Sequence, residues 1–143
     1  MVMYQDRAIP APKISVQDVT AHAIGCCVDD PNLQEVNAVI IPKHSPIPCE
    51  YEDLFRLKLP DQTAAFVQVL QGEEGQALDE CVSIGQLVLE NLPADPKLPK
   101  RIQVIYGIDK NGMCTARAED LVSGNKTEMK FDYSKGVSQS TAS

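Results

Sequence analysis

The sequence contains no tryptophan, no long apolar run and no excess of positive charge. Its 13 Lys and Arg are outnumbered by 20 Asp and Glu, which gives a net charge of −7. A nucleic-acid-binding protein would carry a basic patch, so the composition argues against that class. No stretch approaches the roughly 18 apolar residues of a membrane-spanning helix, and residues 1–10 lack the apolar segment of a signal peptide. We therefore expect neither nucleic acid nor a membrane as a partner.

Motifs of metal, phosphate and catalytic sites are also missing. The five cysteines are an odd number without Cys-x-x-Cys spacing, which disfavours zinc binding and thioredoxin-like chemistry. We interpret them as reduced thiols in a reducing compartment, and we expect a cytoplasmic location. "QGEEGQ" is not followed by the Lys-Ser/Thr of a phosphate-binding loop, and "IDKNG" lacks the ligands of a calcium loop. We expect no enzyme activity, no metal and no cofactor in this chain.

What the sequence does contain is a series of short alternating apolar segments separated by turn signals. In residues 51–59, Phe55, Leu57 and Leu59 share one face. Residues 101–118 read as a hairpin with a two-residue Asn-Gly turn. Further strands are predicted at 19–28, 36–41 and 64–71, in "SIGQLVLENL" and in "TEMKFDY". About eight short strands without a long amphipathic helix indicate an antiparallel sandwich or barrel.

The strands define the domain boundaries. Residues 1–17, with two prolines in "IPAP", are interpreted as an arm and a remnant of an interdomain linker. Residues 18–133 form the predicted β-domain, and the small polar residues of 134–143 are expected to be a flexible tail. One connection stands out. "IIPKHSPIP" places three prolines directly after a strand, where they stiffen a loop.

Five segments occur in one order along the chain: "DVTAHAIG", "IIPKHSPIP", "VLQGE", "IGQLVLENLP" and "IQVIYGIDKNGMCTARAED". Together they resemble the substrate-binding β-sandwich of the DnaK (heat-shock protein 70) chaperones over about residues 18–131. The resemblance implies an all-β fold, a two-layer antiparallel β-sandwich of about eight strands. It also implies the function of holding extended hydrophobic segments of unfolded polypeptides.

The resemblance carries site residues onto this sequence. From periodicity alone the apolar ones would be ordinary core, and the register of the motifs favours a pocket. Arg56 and Lys58 fall where family members contact the peptide backbone, and Gln62 matches a glutamine that hydrogen-bonds the bound chain. The implied central pocket consists of Cys26, Val28, Phe55, Ala65, Val67 and Ile102. Coupling of the sandwich to an ATPase domain is implied for Asp18, Lys43 and Pro48.

Several positions depart from the family pattern. Lys58 stands where a small apolar residue usually helps to arch over the peptide, and the longer first loop carries Asp29 and Asp30. The linker appears as "ISVQD" rather than as a leucine-rich segment. The family's ATPase domain would precede this region and its lid helices would follow it. We therefore expect an excised piece of a longer chain, with a natural short protein as the alternative.

The partners follow from the same resemblance. A full-length protein would bind ATP through the upstream domain, and it would work with a J-domain co-chaperone and a nucleotide-exchange factor. A second hypothesis is a sandwich that has lost peptide binding and serves as an assembly or adaptor module for one partner protein. A third hypothesis is a small hydrolase with a β-sandwich fold, but no sequence motif supports it.

Overall fold

The computed structural model describes residues 19–59, 62–94 and 100–132. This part of the chain forms eight strands and one short 3₁₀ helix, Leu78–Glu80. The strands are β1 (Ile24–Asp29), β2 (Glu35–Ile41), β3 (Cys49–Arg56), β4 (Ala65–Gln71), β5 (Val82–Leu89), β6 (Lys100–Ile108), β7 (Met113–Asp120) and β8 (Lys126–Asp132). The predicted arm, Asp18 and the predicted tail lie outside the described residues.

The strands form two four-stranded sheets in which every pairing is antiparallel. The first sheet has the order β2-β1-β4-β5 and the second the order β3-β6-β7-β8. The sheets face each other, with β5 against β7 and β8, and β2 against β3 and β6. The predicted two-layer antiparallel sandwich of about eight strands is therefore confirmed.

The core lies between the sheets and is built from alternate residues of each strand. Ile102, Val104, Tyr106 and Ile108 of β6 are all buried, as the alternation predicts. The Tyr106 hydroxyl donates a hydrogen bond of 3.0 Å to the Gly25 carbonyl oxygen and so ties β6 to β1 in the opposite sheet. Burial raises the pKa of Tyr106, which keeps the phenol protonated as a donor.

Several predicted strands have different boundaries in the structure, and the first and third differ most. The first begins at Ile24 instead of residue 19, and Val19 makes only an isolated bridge with Pro46. The third runs Cys49–Arg56 instead of 51–59, and Leu59, predicted to share a face with Phe55, is 61 % exposed. The chain turns there, because the Gln62 amide donates to the Leu59 carbonyl oxygen at 3.2 Å and so replaces continued strand pairing.

The predicted two-residue Asn-Gly turn between β6 and β7 is wrong. The Asp109 amide donates to the Met113 carbonyl oxygen at 3.0 Å, so the turn contains three residues, 110–112. Only Gly112 has a positive φ, of 85°, and the Asp109 carboxylate accepts the amide of Asn111 at 2.9 Å. This is the turn in which a type I bend is followed by one left-handed glycine, and the aspartate favours it over the shorter turn.

Candidate functional site

The six apolar residues predicted for the pocket lie at one end of the sandwich. We call it the pocket end; there β1 finishes at Asp29, β3 finishes at Arg56 and β4 begins at Ala65. Phe55 on β3 is paired directly with Ile102 on β6. The set belongs to one hydrophobic cluster: Cys26 and Val28 on β1, Phe55 on β3, Ala65 and Val67 on β4, and Ile102 on β6. The structure thus brings together residues that are up to 76 positions apart in sequence (102 minus 26).

Burial divides the six residues into a floor and a rim. Four are almost fully buried: Cys26 at 4 % exposure, Ala65 at 4 %, Val67 at 6 % and Ile102 at 3 %. Val28 and Phe55 are half-buried and pack against the same core. An apolar side chain approaching the pocket end would contact the rim first. The four floor residues offer almost no surface to it, since none is more than 6 % exposed.

The polar residues predicted to contact a peptide lie around this rim. Arg56 is exposed at the end of β3. The Gln62 side chain is engaged within its own loop, where its amide nitrogen donates to the Ala64 carbonyl oxygen and its oxygen accepts the Leu59 amide at 3.4 Å. These bonds join the Gln62 side chain to the backbone of Leu59 and Ala64. Gln62 would therefore have to exchange partners in order to bind a peptide backbone.

Lys58 and Asp29 form an ion pair across the pocket end. The Lys58 ammonium nitrogen lies 3.1 Å from an Asp29 carboxylate oxygen, and the side chains are 67 % and 23 % exposed. The hydrogen bond that the Lys58 ammonium donates to Asp29 is the main cause that raises the pKa of Lys58, and the negative charges of Asp29 and Glu35 raise it further. Lys58 therefore remains cationic at neutral pH. The sequence flagged both residues separately and did not predict that they meet.

The loop after β2 lies at the opposite end of the sandwich, which we call the loop end. It contains Lys43 and Pro48, both exposed, and the Ile47–Pro48 peptide bond is cis. Lys43 lines an open cleft of about 590 Å³ together with Pro42, Glu73, Glu74 and Glu80. The structure therefore places Lys43 and Pro48 at the end of the sandwich opposite the rim residues Val28 and Phe55.

Two buried hydroxyl groups that sequence analysis missed fix this loop. Thr20 and Ser45 both donate to the Pro42 carbonyl oxygen, at 2.8 and 2.7 Å, and the Ser45 amide donates to the Thr20 oxygen at 2.9 Å. Backbone bonds join Thr20 to Ser45 and His44 as well. This knot holds the residue pair 19–20, which directly follows Asp18, against the loop that carries Lys43. The sequence shows Thr20 in the segment "DVT", but it does not indicate that this threonine bonds Pro42 and Ser45.

We also searched the described part of the chain for disulfides, metal-binding clusters and membrane-spanning helices. All five thiols in it are free. Among residues 19–59, 62–94 and 100–132, no three His, Cys, Asp or Glu side chains gather closely enough to hold a metal ion. The same ranges contain no helix with the length and apolar character needed to cross a membrane.

Comparison with protein families gives a match that spans most of the sequence. The family model described as Hsp70 protein matches residues 8–143. The match includes both sheets, the pocket end and the loop end, and it extends beyond the described residues on either side.

Proposed function

Because the chain belongs to the Hsp70 family, we propose that its sandwich is the substrate-binding domain of a DnaK-like chaperone and holds extended hydrophobic segments of unfolded polypeptides. The observation that carries this proposal is the convergence of six apolar residues from four strands at the pocket end. Their shared position between the two sheets offers one apolar site rather than a scattered surface.

The physical chemistry of such a site fits weak and broad recognition. Burying one leucine side chain contributes about 1.5–3 kcal/mol, and an extended segment adds backbone hydrogen bonds to neighbouring loops. A micromolar dissociation constant corresponds to about −8 kcal/mol. The costs of association offset much of what one apolar anchor and several backbone bonds contribute, so we expect an affinity no tighter than about micromolar. We expect a preference for a central leucine or isoleucine.

The loop end supports a proposal for coupling. Lys43 and Pro48 are exposed on a loop that the Thr20–Ser45 knot joins to the segment following Asp18. A domain attached upstream would act on this end through the same segment. We assign the contact with an ATPase domain to this surface, with ATP, a J-domain co-chaperone and a nucleotide-exchange factor acting through that domain.

One observation favours a second candidate function. Cys26, Ala65, Val67 and Ile102 are at most 6 % exposed, so the floor is filled by the protein's own side chains. A sandwich with a permanently closed pocket would act as an adaptor for one partner protein and would ignore unrelated peptides. The two candidates therefore differ in whether the pocket end opens.

A fluorescence-anisotropy titration with a labelled, leucine-centred heptapeptide separates them. Val67→Phe fills the floor and should weaken binding at least about tenfold, because the site for the peptide side chain is occupied. Val88→Phe is the matched control, since Val88 lies on β5 beside the 61 % exposed Phe66 and away from the floor. A thermal melt of each variant checks the fold, since overpacking costs about 1–3 kcal/mol. Equal affinities at equal stability would place the binding site elsewhere, and no binding by the wild type would favour the adaptor.

A further inference from the structure

The ion pair between Lys58 and Asp29 connects the two sheets of the sandwich. Asp29 is the last residue of β1 in the first sheet, and Lys58 follows β3 of the second sheet by two residues. By contrast, the pairs Arg101–Asp120 and Arg117–Glu50 each join strands of the second sheet. The Lys58–Asp29 contact thus links, at the pocket end, two elements that share no backbone pairing.

The ion pair lies directly beside the rim. Asp29 is adjacent to Val28, and Lys58 is adjacent to Leu57; both apolar neighbours are half-buried against the core. Side chains of successive strand residues point to opposite faces, so Val28 points inward while Asp29 points outward. The pair therefore joins the two sheets on the outer side of the rim residue Val28.

The two partners differ in mobility. Asp29 is held by a stiff turn, because the Asp30 carboxylate accepts the amides of Asn32 at 2.8 Å and Gln34 at 2.9 Å. The Asp30 amide also donates to the Gln34 carbonyl oxygen at 2.9 Å. Lys58 is 67 % exposed at the end of a four-carbon side chain, which can rotate away at small cost. One side of the contact is therefore fixed in place and the other is free to leave.

We propose that Lys58 and Asp29 form an ionic clasp that holds the two sides of the pocket end together and sets the rate at which a bound segment leaves. An extended segment between the rim residues departs when the clasp opens, so a stronger clasp means slower release. The clasp rests on the proposed function, since it acts on the same site. Its ionic nature makes release faster as salt concentration rises.

Charge reversal tests the clasp. The variants are Lys58→Glu, Asp29→Lys and the double swap, with Lys110→Glu as the matched control in the exposed β6–β7 turn. The probe is the labelled, leucine-centred heptapeptide, and stopped-flow displacement gives its release rate at about 20 mM and 500 mM salt. Each single reversal should raise the release rate at low salt about two- to fivefold, the range typical of exposed ion pairs, and should remove most of its salt dependence. The swap should return the rate to within about 1.5-fold of the wild type.

Hydrogen exchange of residues 30–34 and 57–59 measures the clasp without any peptide. Single reversals should speed exchange in both segments, and the swap should restore it. If the wild type binds the peptide and the reversals release it at the wild-type rate, the clasp is wrong and the proposed function stands. If no variant binds the peptide, the proposed function and the clasp's part in release both fail. A swap that behaves as the sum of its single reversals would also overturn the clasp, because a direct pair requires non-additivity.

Discussion

Replacing Asp120 by asparagine should destabilise the sandwich more than any comparable surface change. Asp120 is completely buried, and its carboxylate accepts hydrogen bonds from two nitrogens of Arg101, at 2.6 and 2.8 Å. It also accepts the Ser123 hydroxyl at 2.6 Å and the amides of Ser123 and Val122 at 3.1 and 3.4 Å. Asparagine keeps the volume of the side chain but removes its charge. It also places an N–H group where an acceptor is needed.

The magnitude follows from the burial of both partners. Arg101 is 2 % exposed, so Asp120→Asn removes the negative charge that Asp120 supplies to a buried cation. Removing one partner of such a pair costs about 3–5 kcal/mol. Since domains are stable by about 5–15 kcal/mol, the loss is a large part of the total. Urea denaturation should show a lower midpoint with an unchanged slope, because the surface exposed on unfolding stays the same.

An exposed ion pair supplies the control. Arg117 and Glu50 lie 3.2 Å apart with 45 % and 66 % of their side chains exposed. Glu50→Gln removes one charge by the same chemical change and should cost less than about 1 kcal/mol. If Asp120→Asn costs no more than Glu50→Gln, the buried pair does not stabilise the fold and the reasoning is refuted.

Three further predictions follow from single features. The Arg101 guanidinium is the main cause that holds the pKa of Asp120 far below its unfolded value of about 3.9. The contribution of Asp120 to the free energy of unfolding is therefore complete above about pH 4 and is lost as pH falls towards the folded-state pKa. A wild-type stability that falls no more steeply below about pH 4 than that of Asp120→Asn would contradict this. Gly25→Ala should lower the free energy of unfolding by about 3 kcal/mol, because the new Cβ would lie 2.1 Å from the Ala38 carbonyl oxygen. Gly107→Ala is the control, since the nearest atom to its new Cβ would be 3.5 Å away. Equal melting temperatures of the two variants would count against the close contact at Gly25. Burial raises the pKa of Cys26 and of Cys114 to about 12. Both thiols should therefore react with a disulfide reagent much more slowly than Cys27, Cys49 and Cys81. A single fast phase in which all five thiols of the folded protein react would refute this.

The inward face of the sandwich could be predicted because the side-chain period of a strand is two. Val67 and Val69 on β4 and Val104 and Tyr106 on β6 are buried as their spacing indicates. Strand ends were less predictable. Leu59 continues the alternation of Phe55 and Leu57, but the turn closed by Gln62 removes it from the sheet. The alternation of apolar residues predicts which face of the sheet a strand residue lies on, and it does not predict the residue at which the strand ends.

The buried ion pair depends on register, and the register depends on the turn. With a two-residue Asn-Gly turn, Lys110 would pair with Met113 and Ile102 would pair with Leu121. The three-residue turn instead pairs Ile102 with Asp120, so Asp120 shares the buried face of Ile102. Its carboxylate bonds Arg101 there, at the irregularity in the pairing of β6 with β3. One residue of turn length therefore decides whether Asp120 faces the core or solvent.

The sequence predicted which apolar residues would lie near one another at the pocket end, and it did not predict their burial or their contacts. The motif order brought Cys26, Phe55 and Ile102 into one set, and the structure places them in one cluster. Their burial, the internal bonds of Gln62 and the contact of Lys58 with Asp29 depend on loop conformations. Contacts between loops that are far apart in the sequence cannot be predicted from the residue pattern of either loop alone.

The central claim is that extended apolar segments bind at the pocket end. Its most direct test is a two-dimensional NMR titration of the ¹⁵N-labelled chain with the leucine-centred heptapeptide. Shifts should concentrate on the amides of Val28, Phe55, Gln62 and Val67, with little change at Thr115 on the outer face of β7. Saturable shifts confined to the cleft around Lys43, or no saturable shifts at millimolar peptide, would contradict the account.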